Sequence, residues 1–431
     1  MKTKILCILL IVALLLSLAG CASGKPASSQ SGGTDAASSQ KTQEKRVDLM
    51  KTVKTVKKEA EPITPEATAA ASDFALRLFR AANDPDRNTL ISPLSVLCAL
   101  AMTANGAEDA TLLQMESTLG MRRDLYNEFL HSYLSALRSD RSDALKLANS
   151  IWFTDRNGFE PKEDFLAVNA ACYGADAYLA PFDDGTVREI NSWVKKNTDG
   201  MIPAILDRIP DDAVMYLVNA LAFDAKWEQR YKDVYPGKFT EADGTKQTVD
   251  LMYSEEQTYL SDGNATGFIK YYRGKNYAFV ALLPNEGVSV GEYLDSLDGE
   301  KLQDLIENRS IETVDTAMPK FETQTSLELS EVLKSMGMEL AFDEDRANFS
   351  SLGTSQAGNL CISRVLHKTF ISVAEKGTRA GAATSFEVAA AAEEPGKESK
   401  EVILDRPFVY MLIDCETNLP FFIGTMMKPE E

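Results

Sequence analysis

Residues 375–384 read EKGTRAGAAT and lie between the apolar run FISVA (370–374) and the charged run EEPGKESKE (393–401). In a β-strand, alternate side chains point to opposite faces. With this period, one face of the stretch is uncharged and becomes apolar toward its end; it carries Thr378, Ala380, Ala382, Thr384, Phe386 and Val388. The two charged residues between 378 and 388, Arg379 and Glu387, fall on the other face. The stretch therefore has the pattern of a strand that could be buried on one side.

The composition of the same stretch is that of an exposed connection. Gly377 and Gly381 would weaken a permanent strand, and the small residues around them cost little to bury. A segment that is a loop in one state and a strand in another would have this composition. An alanine-rich linker before the last pair of strands is the alternative, and the stretch by itself does not decide between them.

The chain has 431 residues, of which 44% are hydrophobic and 25% are charged, as expected for a globular protein with a large core. Its formal net charge is −19. Phosphate binding needs clustered lysine and arginine, so we expect no nucleic-acid partner. Paired carboxylates are abundant in so acidic a chain and therefore do not indicate a catalytic site.

The N-terminal residues 1–20 have the pattern of a secretory signal. MKTK supplies positive charge, ILCILLIVALLL (5–16) is an apolar core that is short for a transmembrane helix, and SLAGC (17–21) is a small-residue cleavage region. LAGC resembles the lipobox of bacterial lipoproteins, in which cleavage precedes the cysteine and the cysteine carries a diacylglycerol. We expect lipidation at Cys21; plain secretion with a chance cysteine is the alternative.

The residues that follow Cys21 predict a flexible tether. They are rich in serine, glycine, alanine and polar residues, and such a segment cannot bury enough apolar surface to offset the entropy lost on ordering. We place the tether at 21–60 and the folded domain at 61–431. The expected location is outside the cytoplasm, either anchored by lipid to the bacterial cell membrane or surface, or secreted.

Cysteine and histidine are too scarce for a metal centre. Cys7 and Cys21 belong to the signal, and no CxxC motif exists. The remaining cysteines lie far apart in apolar settings: Cys98, Cys172, Cys361 and Cys415. With two histidines in the chain, we expect no metal and no other cofactor. Buried free thiols are favoured over disulfides, and the disulfide state is left open.

Hydrophobic periodicity predicts helices mainly in the first half of the chain and strands mainly in the second. The predicted helices are ASDFALRLFRAAN (71–83), SPLSVLCALAMTANGA (92–107), RDLYNEFLHSYLSALRS (123–139) and DGTVREINSWVKKNTDG (184–200). The predicted strands are LKLANSIWFT (145–154), AVMYLVNALAFDAKW (213–227), KNYAFVALLP (275–284), IETVDTAMPKF (311–321), LCISRVLHKTFISVAE (360–375), PFVYMLID (407–414) and LPFFIGTMM (419–427). Regular βαβ alternation is missing, so the pattern predicts one large α+β domain.

GVSVG (287–291) fits the Gly-x-Ser-x-Gly nucleophile elbow of α/β-hydrolases, with Ser289 as nucleophile and His367 downstream. Such an elbow needs a strand that runs directly into the turn, whereas Pro284-Asn285-Glu286 interrupts here. The alternating units of that fold are also missing. We therefore expect no enzyme, and we assign a structural role to the other histidine, His131.

From about residue 66 to residue 428 the sequence resembles the serpins. EKGTRAGAAT is similar to the serpin hinge, acid-x-Gly-Thr-x-Ala-x-Ala. The other matching blocks follow in the family's order: NTLISPLSVLCALAMTANGA (88–107), LVNALAFDAKW (217–227), MPKFE (318–322), RANFSSL (346–352) and RPFVYMLIDCETNLPFFIGTMMKP (406–429). The resemblance implies an α+β fold with three β-sheets, about eight or nine helices and an exposed reactive-centre loop.

The resemblance also implies a suicide-substrate mechanism. A serine protease cleaves the exposed loop and is held as an acyl-enzyme while the loop inserts into the main sheet; serpin loop insertion is a known case of strand addition. As hinge residues the resemblance indicates Glu375, Gly377, Thr378, Ala380, Ala382 and Thr384. It assigns Ser92, Ser95, Asn219 and His367 to the shutter, a polar cluster beneath the opening strands, and Trp227 to the breach, where the loop starts to insert. Simple core packing remains a sufficient reason for Trp227.

The family's usual spacing from Glu375 puts the reactive bond at Ala391–Ala392. The alanine run leaves the register open by one or two bonds, so Ala389–Ala390 is the alternative, and Glu393 is a third choice as recognition residue. A small residue at this bond implies an elastase-like or subtilisin-like target with a shallow primary pocket. Cysteine proteases are a further class of target.

Three functions are compatible with these observations. The first is a monomeric protease inhibitor, the second a non-inhibitory serpin-fold binding or chaperone module, and the third the hydrolase. The small, proline-free hinge favours the first. Arg379 stands where the family often has glutamate, and we expect it to be harmless because it falls on the outward face.

Overall fold

The computed structural model describes residues 46–54, 58–139, 144–210, 213–356, 358–379 and 399–429. All of these belong to the unit Glu44–Glu431, while the unit Met1–Gln43 lies outside the described residues. The predicted signal and Cys21 therefore lie outside them too. None of the helices in the described ranges is long and apolar enough to cross a membrane.

Nine α-helices lie within the described residues, six of them before residue 200. They are α1 (Pro65–Ala82), α2 (Pro93–Ala104), α3 (Asp109–Leu119), α4 (Arg123–Ser139), α5 (Glu163–Tyr173), α6 (Asp184–Asn197), α7 (Val290–Ser296), α8 (Gly299–Glu307) and α9 (Ser330–Ser335). The four helices predicted from periodicity are confirmed as α1, α2, α4 and α6.

Capping side chains explain where the first two helices begin. Thr64 Oγ1 accepts a hydrogen bond from the N–H of Ala67 at 3.2 Å. Ser92 Oγ accepts one from the N–H of Ser95 at 3.4 Å. A proline follows each cap, at a position whose missing N–H would have had no partner in the helix. Helix α1 therefore begins at Pro65, earlier than hydrophobic periodicity predicts.

The strands form three principal sheets. In chain order they are β1 (Val47–Asp48), β2 (Thr89–Ile91), β3 (Leu145–Thr154), β4 (Glu160–Pro161), β5 (Asp176–Ala180), β6 (Met215–Lys226), β7 (Asp233–Thr240), β8 (Lys246–Glu256), β9 (Tyr259–Ser261), β10 (Ala265–Tyr271), β11 (Tyr277–Pro284), β12 (Val314–Pro319), β13 (Phe321–Glu328), β14 (Gly353–Thr354), β15 (Leu366–Ala374), β16 (Gly377–Arg379), β17 (Lys400–Ile403), β18 (Phe408–Asp414) and β19 (Pro420–Met426). The predicted strands are confirmed as β3, β6, β11, β12, β15, β18 and β19.

The largest sheet has seven strands in the order β1-β5-β3-β6-β16-β15-β13, and we call it the large sheet. A six-stranded sheet runs β2-β19-β18-β11-β10-β9, and a four-stranded sheet runs β17-β12-β8-β7. Strands β14 and β4 pair separately. The predicted α+β class, with three main sheets and eight or nine helices, is confirmed.

Helix α2 lies at the centre of the molecule. Its residues are almost all apolar and nearly all are buried, as expected for a helix that is hydrophobic on every side. It packs against β6 of the large sheet and β19 of the six-stranded sheet. The helix thereby carries its N-terminal serines to the underside of the large sheet.

The N-terminal boundary of the folded part differs from the prediction. Residues 46–54 fall in the predicted tether, yet β1 pairs with β5, with Val47 opposite Leu179. The Arg46 guanidinium lies 4.5 Å from the centroid of the Tyr178 ring. Pairing with an existing sheet edge stabilises a short strand that its own sequence does not specify, so residues 47 and 48 belong to the large sheet although the sequence placed them in the tether.

The four cysteines of the folded part are free thiols in the structure. Cys98 and Cys172 are buried, as expected, whereas Cys361 and Cys415 are half-buried. Burial raises the pKa of the Cys172 thiol. The unreactive, protonated form of this thiol is therefore favoured.

Candidate functional site

Strand β16 fills one end of a strand position between β6 and β15. Its three residues pair antiparallel with both neighbours, and Thr378 lies opposite Ala225 on one side and Val373 on the other. Among the described residues, the space between β6 and β15 past Arg379 holds no strand, and we call this space the interstrand gap.

The hinge residues within β16 have different environments. A Cβ atom on Gly377 would lie 2.1 Å from the carbonyl oxygen of Ala225, so only glycine fits there without displacement. Thr378 is 1% exposed and its Oγ1 accepts a hydrogen bond from the Tyr272 hydroxyl at 2.6 Å. Arg379 is half-exposed and pairs with Asp224 at 3.0 Å. The predicted inward and outward faces hold for Thr378 and Arg379.

The turn between β15 and β16 is held by its carbonyl groups. The Trp227 indole N–H donates to the carbonyl of Ala374 at 2.8 Å. The backbone N–H of Trp227 donates to Lys376 and that of Tyr231 to Glu375, both at 3.0 Å. Three successive carbonyls of the turn are therefore hydrogen-bonded to residues 227–231. Trp227 lies beside the first hinge residues, and its part in loop insertion stays a prediction.

An ion pair lies beside this turn. Lys320 Nζ is 3.4 Å from Glu375 Oε1, and both side chains are about a quarter exposed. A pair with this exposure contributes modestly to stability. Its position nevertheless links the first hinge residue to the segment between β12 and β13.

A polar cluster lies beneath the gap. The N–H of Ser92 donates to His367 Nε2 at 3.0 Å, and Ser95 Oγ donates to Asn219 Oδ1. Asn219 Nδ2 in turn donates to Asn149 Oδ1. The structure brings together the four residues predicted for the shutter and adds Asn149. Their part in opening the sheet stays a prediction.

A cavity of about 110 Å³ adjoins this cluster between β6 and β15. Ser92, Asn219 and His367 line it together with the apolar side chains of Ile205 and Leu206. Packed interiors normally contain few voids of this size. The spacing between the two strands is therefore wider here than close packing would give.

His367 is neutral in the folded protein at pH 7. It is 7% exposed, and burial lowers its pKa to about 4. Neutral imidazole is also the form whose Nε2 can accept the Ser92 hydrogen bond. The unfolded chain, with a histidine pKa of about 6.5, binds this proton at a higher pH than the folded protein does.

We expect His367 to make the protein less stable in acid. The contribution of His367 to the free energy of unfolding is fully present above about pH 6.5 and is lost as the pH falls to about 4. The total loss is about 3 kcal/mol. Urea unfolding at pH 7 and at pH 4.5 measures the decrease in the free energy of unfolding between the two values. This decrease should be smaller in His367→Gln than in wild type. In the control His131→Gln, which removes the other histidine, it should equal that of wild type. Equal pH dependence in wild type and His367→Gln would contradict this assignment.

Ser289, the serine of the GVSVG motif, is a helix cap. Its Oγ accepts from the N–H of Glu292 at 3.2 Å and its backbone N–H donates to Glu292 Oε2 at 2.9 Å, so the two residues form a capping box at the start of α7. His367 is bonded to Ser92 instead. The serine and the histidine of the motif match therefore have separate partners in the structure, as a helix cap and in the polar cluster of Ser92.

We expect Ser289→Ala to lower the free energy of unfolding by about 1 kcal/mol, the usual effect of losing an N-cap. Chemical denaturation measures this change. Hydrolysis of p-nitrophenyl esters by the wild-type protein, abolished in the variant, would instead favour the hydrolase.

Both ring nitrogens of the other histidine, His131, lie beside backbone carbonyl groups. His131 Nδ1 lies 3.0 Å from the carbonyl oxygen of Ala171, and its Nε2 lies 3.1 Å from that of Lys58. Across the described ranges, no group of three or more histidine, cysteine, aspartate or glutamate side chains is arranged to hold a metal ion.

Several predicted site residues lie outside the described residues. They are the hinge positions Ala380, Ala382 and Thr384 and the two proposed reactive bonds, Ala391–Ala392 and Ala389–Ala390. Four further residues lie at the site and were not predicted from the sequence: Asn149, Tyr231, Lys270 and Tyr272. A polar or charged residue within an apolar strand could have indicated two of them, as in LANSIWF for Asn149 and GFIKYY for Lys270.

Comparison with protein families gives one match over most of the chain. The model of the family described as Serpin (serine protease inhibitor) matches residues 69–429. An uncharacterised serpin-like protein of Thermococcus kodakarensis is 30% identical over 371 residues, which cover 84% of this chain and 85% of that protein. Leukocyte elastase inhibitor A of Mus musculus is 30% identical over 386 residues, which cover 84% of this chain and all of that protein.

Solved structures give the same result. The crystal structure of the thermophilic serpin Tengpin in its native state superposes with a TM-score of 0.82 and 45% sequence identity. The superposition covers 89% of this chain and 99% of that one. The arrangement of sheets and helices is therefore shared across almost the whole of the described chain.

Proposed function

The chain belongs to the serpin family, and we propose that it inhibits extracellular serine proteases as a suicide substrate. The family is described as one of serine protease inhibitors. Leukocyte elastase inhibitor A, which this chain matches over that protein's whole length, is named as an elastase inhibitor. In the proposed reaction a protease serine attacks a carbonyl of the reactive loop. The peptide bond breaks, and the protease remains bound as an ester while the loop becomes a strand of the large sheet.

The observation that carries the proposal is the position of β16. Its residues already hydrogen-bond to β6 and β15, which would be the neighbours of the complete new strand. Pairing on both sides is not needed in a permanent linker. It supports the proposal that the rest of the segment pairs with the same two strands later, after cleavage releases its other end.

The register of β16 supports the same proposal. Gly377 pairs with Lys226 and Ala374, so continued antiparallel pairing would set Thr384 between Asn219 and His367. Thr384 has the parity of Thr378 and would face inward. Its hydroxyl would then reach the polar cluster and could satisfy groups around the cavity, which a larger apolar residue could not do.

The length of the loop also fits. Residues 378–391 would span roughly 45 Å as a strand at ~3.3 Å per residue. The inward face holds small residues first and Phe386 and Val388 later. This pattern supports a reactive bond at Ala391–Ala392, with Ala389–Ala390 as the alternative, and an elastase-like or subtilisin-like target with a shallow primary pocket.

The proposed place of action is outside the cytoplasm. The signal-like residues 1–20, followed by Cys21 in a lipobox pattern, support an inhibitor that is joined to a lipid anchor by a tether. Globomycin, which blocks lipoprotein signal cleavage, should cause the unprocessed form to accumulate. Mass spectrometry of the mature protein would show a diacylglycerol-modified cysteine; an unmodified N-terminus would contradict the anchor.

The inhibitor can be tested with purified protein lacking the signal. Incubation with elastase-, subtilisin-, chymotrypsin- and trypsin-like proteases should give a complex that survives denaturing gels with one of the first two. Mass spectrometry should find a released peptide that starts at Ala392 or within two residues of it. Clean cleavage by the whole panel without a complex would count against inhibition and favour a non-inhibitory serpin-fold binding module.

A further inference from the structure

Lys270 is a buried charge directly behind the hinge. It lies on β10, its side chain is 1% exposed, and its Nζ pairs with the carboxylate of Glu256 on β8. Ser254 Oγ lies 3.3 Å from the same Nζ and donates to Glu256 Oε1 at 2.7 Å. A buried pair of this kind often adds no more stability than apolar residues of similar size would. Its position therefore matters more than its contribution to overall stability.

The ammonium group of Lys270 also contacts two aromatic rings. Nζ lies 4.1 Å from the centroid of the Tyr231 ring and 5.6 Å from that of the Trp227 ring. The two rings meet edge to face, with centroids 6.2 Å apart. A desolvated ammonium within about 6 Å of a ring face is attracted to it. Lys270 thus connects both rings to Glu256 of the four-stranded sheet.

These two aromatic residues are the ones that hold the hinge turn. Trp227 donates to the carbonyls of Ala374 and Lys376, and Tyr231 donates to that of Glu375. Tyr231 lies in the loop after β6, outside any strand or helix. The packing of its ring against Lys270 therefore helps to keep its backbone N–H in place.

We infer that Lys270 is a positioning residue for strand insertion. It acts through Trp227 and Tyr231, which keep the turn in the geometry from which the new strand grows. Without it, the turn would loosen and insertion would slow, and the acyl-enzyme would be hydrolysed more often before the protease is trapped. This consequence rests on the proposed inhibition, whereas the effect on the turn does not.

The test uses two variants and a matched control. Lys270→Met keeps an unbranched apolar side chain, one atom shorter, and removes the charge, but leaves Glu256 without its lysine partner. Lys270→Met with Glu256→Gln removes both charges. The control is Lys334→Met, since Lys334 also pairs with a glutamate, at 2.7 Å from Glu331, and lies 5.5 Å from the Phe342 ring, but on α9.

The first measurement needs no protease. Hydrogen–deuterium exchange in peptides that span residues 225–232 and 372–379 should be at least tenfold faster in both Lys270 variants than in wild type and the control. Peptides from the β18–β19 hairpin should be unchanged, which separates a local effect from general destabilisation. Unchanged exchange at the hinge in the double variant would overturn the inference.

The second measurement is the number of inhibitor molecules consumed for each protease molecule trapped. We expect it to rise at least threefold in both Lys270 variants and to stay at the wild-type value in Lys334→Met. Recovery of the wild-type value in the double variant would assign the effect to the unpaired Glu256 and overturn the inference. If wild type traps no protease while hinge exchange still changes, the proposed inhibition fails and the role of Lys270 in holding the turn stands.

Discussion

Thr378→Arg is expected to convert the protein from a protease trap into a substrate. Thr378 is 1% exposed between β6 and β15 and bonded to Tyr272. Burying an unpaired guanidinium there costs several kcal/mol, so β16 should leave the sheet in the intact variant, and the cost is then met when the loop inserts after cleavage. Each 1.36 kcal/mol changes a rate tenfold. Insertion should therefore slow by about a hundredfold or more, so that the protease completes hydrolysis first. Denaturing gels should show full cleavage with no covalent complex.

Arg379→Gln is the matched control for this prediction. Arg379 is the next residue along the chain, but its side chain is half-exposed and pairs with Asp224 at the surface. Removing its charge should leave the yield of complex near that of wild type. A stable complex at wild-type yield in Thr378→Arg would show that the loop does not insert along the register seen in β16.

Cleavage of the loop by a non-target protease should raise the stability of the protein greatly. Beyond the pairs already present in β16, the twelve residues 380–391 would gain ladder bonds at about 1 kcal/mol net each, or on the order of ten kcal/mol. With about 2–4 °C for each kcal/mol in a large domain, the unfolding temperature should rise by at least about 20 °C. Differential scanning calorimetry of intact and cleaved protein measures this rise.

The Thr378→Arg variant provides the internal comparison for the stability rise. Its cleaved form should gain less, because the arginine obstructs the start of the new strand. The intact and cleaved forms of wild type would unfold at the same temperature if the loop stayed outside the sheet. That result would favour the non-inhibitory module over the inhibitor, whatever the protease panel shows.

Local patterns in the sequence were enough for most of the fold. Apolar, strand-like runs identified β3, β6 and β15, and the Ser92–Pro93 pair marked the start of α2, because these signals depend on neighbours along the chain. The capping box of Ser289 and Glu292 was also readable as Ser-x-x-Glu. The motif match to a nucleophile elbow obscured that simpler reading.

Features that depend on contacts between distant segments could not be predicted in this way. The pairing of β1 was not predicted, because it depends on the edge of β5, which the sequence of residues 46–54 does not reveal. The partner of Lys270 depends on how β8 and β10 are placed relative to each other. The family's hinge pattern located Thr378, but its hydroxyl partner, Tyr272, follows only from the folded sheets.

The three-residue pairing of β16 has a kinetic consequence. Forming the first contacts of an ordered segment is its slow, unfavourable step, and each later residue adds more readily. In β16 those first contacts are already present in the folded protein. Under the proposed mechanism, what remains after cleavage is propagation from a fixed starting register, so its duration should scale with the number of residues still to be paired and not with a search for alignment.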